Sequence, residues 1–324
     1  INKDLYFFQS MAAPEEDSTD NYRIKEVQFF GSTRRILLQS QNGPCPLLAI
    51  CNILLLRNVL KINPDTRYIT FFELVDLVSD WLFEANSSEG EPDSTSSRAV
   101  NLRESLSSCL EILPKLNVGL DVNCKFSGPT DFEYTRELSV FDLLDIALYH
   151  GWIVSQQDTT AYELFGKLSY NQVVERLIAY EEARQKSEPP AEGEKKGPEL
   201  EGPELEANQK ALEEGLVIKE FLDRTSTQLS YDGLLALHET VRERQLAVFF
   251  RNSHFNAMLK YEGKLYLLCT DISFANTDLV WERLDEVDGD TEYVDADFRT
   301  SREGAEASAA QAAEQAVQDS IMSQ

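Results

Sequence analysis

The sequence predicts an α+β fold with a central, mostly antiparallel sheet, and three observations predict it. Strand-like alternation frames the chain, first in "YRIKEVQFFG" and later in "QLAVFF", "HFNAMLKY" and "KLYLLCTD". Helical spacing of apolar residues fills the span between them. The first helical run begins at a cysteine set between two prolines, in "QNGPCPLLAICNILLL".

Taken in order, residues 1–10, "INKDLYFFQS", resemble a remnant of a protease-site tag, with the native chain expected from Met11. Residues 11–20 are expected as a flexible lead and 21–300 as the main domain. "YRIKEVQFFG" and "STRRILLQ" form a predicted hairpin that delivers the chain to Gln39. From Pro46 to Leu60 the spacing of Leu47, Ile50, Leu54 and Leu55 predicts a buried helix, and Pro46 is tolerated in its first turn. Helices are predicted over Thr70 to Glu84 and Asn101 to Leu113, with a polar loop between them. "GLDVNCKF" is predicted as a strand, "SVFDLLDIALYHGW" as a helix stopping near Gly151, and "LSYNQVVERLIAYEEARQK" as a further helix. Residues 187–209, rich in Pro and Glu, are expected as a disordered acidic insertion. Helical patterns resume in "LVIKEFLDR" and "YDGLLALHETVRE", and three strands follow, the last two joined by a Glu-Gly turn. Asp288 to Phe298 is expected as an acidic solvated turn, because Tyr293 stands where a calcium loop needs glycine. The alanine-rich tail, 301–324, is expected to be at most a solitary helix.

The chain has 324 residues, 42% of them hydrophobic, enough for a substantial core. With 30 Lys+Arg against 56 Asp+Glu the net charge is −26, which repels nucleic acid and anionic lipid surfaces and leaves proteins as the expected partners. The longest apolar run falls short of the roughly 20 residues that cross a bilayer, so no membrane partner is expected. Five cysteines without a CxxC pair and three scattered histidines predict reduced thiols, no metal and no cofactor, and an intracellular location, cytoplasmic or nuclear.

A nucleophilic cysteine needs a lowered thiol pKa, a base and oxyanion donors. Cys45 at a helix N-terminus meets the first need, since free N–H groups and the helix dipole favour a thiolate. Gln39, six residues earlier at a strand end, supplies a side-chain amide of the type that lines oxyanion holes. Cys51, Cys109, Cys124 and Cys269 lie within apolar patterns and are expected as buried core. Among the histidines, His150 and His238 are assigned to structure, His150 as a cap at a helix end. His254 begins a strand directly after the polar turn "RNS" and is the candidate base. Asn256, on the same strand face, and Asp271, at the end of the next strand, are both candidates to orient its ring.

The blocks "QSQNGPCPLLAICNILLL", "GLDVNCKFSGPTDFEYT", "SVFDLLDIALYHGW", "GKLSYNQVVERLI" and "FFRNSHFNAMLKYEGKLYLLCTD" together resemble the MINDY family of deubiquitinases, over about Tyr22 to Phe298. The resemblance implies a distant papain-like cysteine protease fold, with Cys45 as nucleophile, His254 as base and Gln39 as oxyanion donor. It implies hydrolysis of isopeptide bonds in polyubiquitin, chiefly chains linked through ubiquitin's lysine 48, with polyubiquitin and ubiquitinated proteins as partners. Ubiquitin contacts are implied at Val122, Trp152, Tyr170 and Phe250. Trp152 and Tyr170, beside glycine and polar residues, are expected as surface anchors; Val122 and Phe250 suit core equally well. The alternative is a catalytically silent polyubiquitin-binding protein on the same scaffold.

Overall fold

The computed structural model describes residues 21–39, 44–87, 97–187, 201–289 and 291–300. The predicted tag remnant, the flexible lead, the tail and most of the acidic insertion lie outside the described residues.

Strands β1 (Asn21–Phe29) and β2 (Ser32–Leu38) form the expected hairpin, with Ile24 opposite Leu37. Phe30 and Gly31 turn it with positive φ of 47° and 73°. Helix α1 (Cys45–Leu56) follows, its first bond running from Leu48 N to Pro44 O at 3.1 Å. It ends at Leu56, short of the predicted Leu60, because Asn58 turns left-handed (φ 61°) and Val59 N bonds back to Leu54 O. Then come β3 (Tyr68–Thr70), α2 (Phe71–Ser87), α3 (Ser97–Ile112) and a 3-10 turn (Leu113–Val118). Strand β3 completes a three-stranded sheet in the order β2-β1-β3.

Two expectations fail in the next span. "GLDVNCKF" makes only isolated bridges, Cys124 with Phe132 and Lys125 with Ser169, so it is a loop stitched to its neighbours. "SVFDLLDIALYHGW" splits into the short α4 (Ser139–Leu143) and the strand β4 (Leu148–His150). Asp145 breaks the helix with φ 51°, and Leu148 to His150 are drawn into a parallel pairing instead. The helices α5 (Thr159–Phe165), α6 (Tyr170–Ser187), α7 (Pro203–Arg224) and α8 (Tyr231–Thr240) follow. Helix α7 begins at Pro203, inside the segment expected to be disordered to 209. Pro203 suits its first turn, and Glu204 and Glu206 sit favourably at its positive end.

Strands β5 (Leu246–Arg251), β6 (His254–Tyr261) and β7 (Lys264–Leu268) match the predicted closing strands. After a 3-10 turn (Ile272–Asn276), β8 (Trp281–Arg283) and β9 (Tyr293–Val294) extend the sheet to the order β4-β5-β6-β7-β8-β9, antiparallel except for β4 against β5. The acidic turn expected over Asp288 to Phe298 therefore contains an edge strand.

Alternation along β5 to β7 sorts the sheet into two faces. Val248, Phe255, Ala257, Leu259, Tyr266 and Leu268 join the core around α1. Ala247, Phe249, Met258, Leu265 and Leu267 join the core that contains Leu234 and Leu237 of α8. Helix α1 packs on β6, β5 and β2, and every residue after Cys45 is buried, each large side chain contributing roughly 2 kcal/mol of apolar burial. A third core, with Phe126, Trp152, Phe165 and Phe221, lies among α5, α6 and α7.

Candidate active site

Cys45 is the first residue of α1 and is half-buried. The other four cysteines are buried, as expected, and all five are free thiols. Burial pushes the Cys109 thiol up to about 11 and that of Cys124 up to about 12. At Cys45 two effects oppose each other. Burial raises its pKa, while the backbone N–H of Phe255 and its own N–H favour the thiolate, and burial wins. The expected depressed thiol pKa is therefore absent, because the helix N-terminus is set into the protein rather than facing water.

The amide that reaches the Cys45 sulfur belongs to the residue after His254. His254 opens β6 after a two-residue turn, Asn252 and Ser253, both with positive φ (52° and 58°), and sits opposite Arg251. Burial lowers its imidazole pKa, so the ring is neutral. The ladder between β6 and β7 ends at Met258 opposite Leu267. Beyond it the chain after β7 pairs elsewhere, Cys269 N donating to Val280 O and Gln39 N to Thr270 O at 2.6 Å. The edge of β6 from Phe255 is thereby open to the start of α1.

Gln39 enters this gap from the other side. Its N–H and C=O bond Thr270 O and Ile272 N, so it pairs in parallel with Asp271. Strand β7 runs antiparallel to β6 and so ends at the His254 end of it, which places the Gln39–Asp271 bridge at that same end of the sheet. Cys45, His254 and Gln39 are thus brought to one end of the sheet by three separate segments. No hydrogen bond joins Cys45 to His254, and among the described residues the His254 ring has no hydrogen-bond partner. Neither Asn256 nor Asp271 orients it here; the Asp271 carboxylate accepts instead from Ser273 N at 2.8 Å.

Of the four expected contact residues, Tyr170 is exposed (38%), and Val122 and Phe250 are half-buried. Trp152 is not a surface anchor: it is 7% exposed, its Nε1 donates to Thr225 Oγ1 at 2.8 Å, and its ring supports that of Tyr170 at 5.4 Å. A residue beside glycine is not thereby on the surface. Asn123, which sequence reasoning passed over, ties Val122 to the start of α6: its carboxamide donates to Glu133 and accepts from Asn171 N. Tyr170 N donates to Cys124 O at 2.8 Å, holding the same junction from the backbone. Across the sheet His150, Phe250 and Phe255 form one row, about 10 Å from end to end, which runs from the Trp152 side to the cysteine.

His150 caps no helix. It ends β4, 1% exposed, with its Nε2 bonded to Asp131 O and its Nδ1 accepting from Trp152 N, both at 3.2 Å. The other polar residue missed is Asn52, 0% exposed within α1, whose side chain bonds both backbone groups of Leu37. The signal was present as one polar residue interrupting an apolar helix.

Among the described residues no group of His, Cys, Asp and Glu is placed to hold a metal, and no helix is long and apolar enough to cross a membrane. The MINDY deubiquitinase family model matches residues 20–298. The chain is 40% identical over 292 residues to the ubiquitin carboxyl-terminal hydrolase MINDY-1 of Danio rerio, covering 90% of this chain and 51% of that protein. It is 41% identical over 278 residues to MINDY-2 of Mus musculus, covering 86% and 42%, and 40% identical over 283 residues to MINDY-1 of Homo sapiens, covering 87% and 55%. The chain thus spans about half the length of the curated relatives it matches. On the match of its whole described domain, the chain belongs to the MINDY deubiquitinase family.

Proposed function

We propose that this domain is a cysteine isopeptidase that cleaves polyubiquitin, with chains linked through ubiquitin's lysine 48 as its expected substrate, in a distantly papain-like arrangement. One observation carries the proposal: among five cysteines only Cys45 is not buried, and its sulfur lies against the backbone of the residue following His254.

His254, neutral at rest, takes the thiol proton as Cys45 attacks the carbonyl carbon of the isopeptide. The oxyanion then receives the Cys45 N–H at the start of α1 and the Gln39 side-chain amide. Collapse of the intermediate expels the lysine amine, protonated by the imidazolium, and leaves a thioester between Cys45 and the C-terminus of the distal ubiquitin. Water deprotonated by His254 hydrolyses that thioester, releasing the carboxylate and restoring the thiol. The two pKa shifts act in the same sense: burial raises the thiol and lowers the imidazole, and both favour a neutral pair over an ion pair at rest.

Ubiquitin is held by the exposed Tyr170 together with Val122 and Phe250, and Trp152 acts from beneath Tyr170 as a support. The high negative charge suits the basic parts of a ubiquitin surface. Incubation with linkage-defined ubiquitin chains, beside a Cys45→Ala variant, tests the proposal by gel. Cleavage of lysine-48-linked chains is expected and should vanish in the variant. Intact chains that are nevertheless bound would replace it with a silent polyubiquitin receptor.

A further inference from the structure

The cysteine and the glutamine of the candidate site arrive on different elements, and apolar packing alone does not fix how those elements lie. Cys45 opens α1 and Gln39 follows β2. Both elements are clothed in Leu and Ile, whose contacts are non-directional and tolerate sliding along the helix axis. A fully buried polar side chain lies between them. Asn52 is 0% exposed; its Oδ1 accepts from Leu37 N at 2.7 Å and its Nδ2 donates to Leu37 O at 3.1 Å.

Strand β2 is an edge of its sheet, in the order β2-β1-β3. Leu37, paired with Ile24 on one side, directs its N–H and C=O out of that edge, and the Asn52 carboxamide completes the rung as the peptide of a further strand would. Two opposed bonds to a single residue fix both the axial and the rotational placement of the helix. Asn52 lies seven residues, about 10 Å, beyond Cys45 on the same helix face. Leu37 lies two residues, about 7 Å, before Gln39. The fixed point is therefore within one short lever of both groups. A second polar tie, from Arg34 Nε to Leu56 O, sits at the far end of the helix.

We propose that Asn52 is a positioning residue that sets the Cys45 helix against the strand delivering Gln39, and so holds nucleophile and oxyanion donor in register. The proposal rests on the assignment of Cys45 and Gln39 given above.

The test is Asn52→Leu, which keeps the branched outline of the side chain and removes both bonds. Lys260→Met serves as the control for general destabilisation. Lys260 lies towards the opposite end of β6, where its ammonium bonds His238 O and Val241 O, far along the strand from His254. With ubiquitin chains as substrate, Asn52→Leu is expected to lower kcat by about a hundredfold, the order of loss from a misplacement of about 1 Å, with KM within about threefold. Lys260→Met, at a comparable fall in Tm, should keep kcat within about threefold. Equal kcat for the two variants overturns the proposal.

Alkylation of Cys45 by iodoacetamide, mapped by peptide mass, reads the same geometry without ubiquitin. Asn52→Leu should shift the rate and its pH midpoint while Lys260→Met leaves them at the wild-type values, and an unchanged profile in Asn52→Leu overturns the proposal. Should wild-type protein cleave no chain, the isopeptidase assignment falls and the alkylation comparison still decides on Asn52. Should Asn52→Leu fail to fold, Asn52→Asp replaces it. Its ionised carboxylate can accept from Leu37 N but cannot donate to Leu37 O, so in the alkaline range where Cys45 reacts its alkylation should depart from wild type. An alkylation profile equal to wild type there would overturn the proposal.

Discussion

His150 should make this protein lose stability in mild acid, and the size of the loss follows from its surroundings. The ring is 1% exposed, accepts from Trp152 N through Nδ1 and bonds Asp131 O through Nε2, a pattern that needs the neutral tautomer protonated on Nε2. A second proton on Nδ1 would set one donor against another in a dry site. Burial accordingly lowers its pKa from 6.5 to about 4, with the carbonyl of Asp131 opposing in part. The folded value lies below the unfolded one, so between them the unfolded chain holds more protons and stability rises with pH. The contribution is complete above about pH 6.5, is lost as pH falls towards 4, and saturates below that, for a total of roughly 3 kcal/mol. The perturbation is His150→Asn, whose carbonyl can still accept from Trp152 N but which does not titrate. Urea unfolding followed by tryptophan fluorescence, at about pH 7 and about pH 4.5, gives four free energies, and the difference of differences cancels the carboxylates common to both proteins. Wild type should lose on the order of 2 kcal/mol more than the variant between the two pH values. Equal losses would refute the assignment of a buried neutral imidazole.

Three further outcomes are expected. Gly233→Ala should lower stability by about 2 kcal/mol or more, because a Cβ there would stand 1.8 Å from Gly151 O, a backbone atom that cannot swing aside; an unchanged Tm would contradict the packing of α8 on Gly151. Trp152→Phe, which removes the donor to Thr225 Oγ1, leaves that hydroxyl only its own bond to Phe221 O and empties part of a packed core, should cost about 1–3 kcal/mol of stability, whereas Tyr170→Ala should leave Tm nearly unchanged and weaken ubiquitin-chain binding by about 1–2 kcal/mol in calorimetry. A reversed pattern would return Trp152 to the surface. Cys45 alkylation should stay slow at neutral pH and climb only into the alkaline range, since burial raises its pKa; a rate already at its plateau near pH 7 would show a preformed ion pair with His254.

The long periodic elements were legible in the sequence: α1, α2, α6, α8 and the meander β5 to β7 lie within a few residues of where spacing puts them. What was not legible depends on partners distant in the chain. Leu148 to His150 has helical spacing with its neighbours, and only the parallel pairing with Val248 to Phe250 makes it a strand. Trp152 sits beside Gly151 as an exposed anchor would, and is buried by Thr225 and Phe126, neither of them local to it. At the site, Cys45, His254 and Gln39 were chosen from local chemistry, since a turn, a helix start and strand ends are local features. The raised thiol pKa was not foreseeable, because it comes from how deeply α1 is set against β6. Asn52 interrupts an apolar helix, and it is the edge of β2, fifteen residues earlier and otherwise without a strand partner, that explains it.

The central claim is that Cys45 is the nucleophile, served by His254. Ubiquitin carrying an alkyne electrophile at its C-terminus tests it most directly: one equivalent should add covalently, peptide mapping should place it on Cys45, and His254→Ala should slow its formation while leaving the fold intact. An adduct on another cysteine, or none with chains demonstrably bound, would contradict the claim.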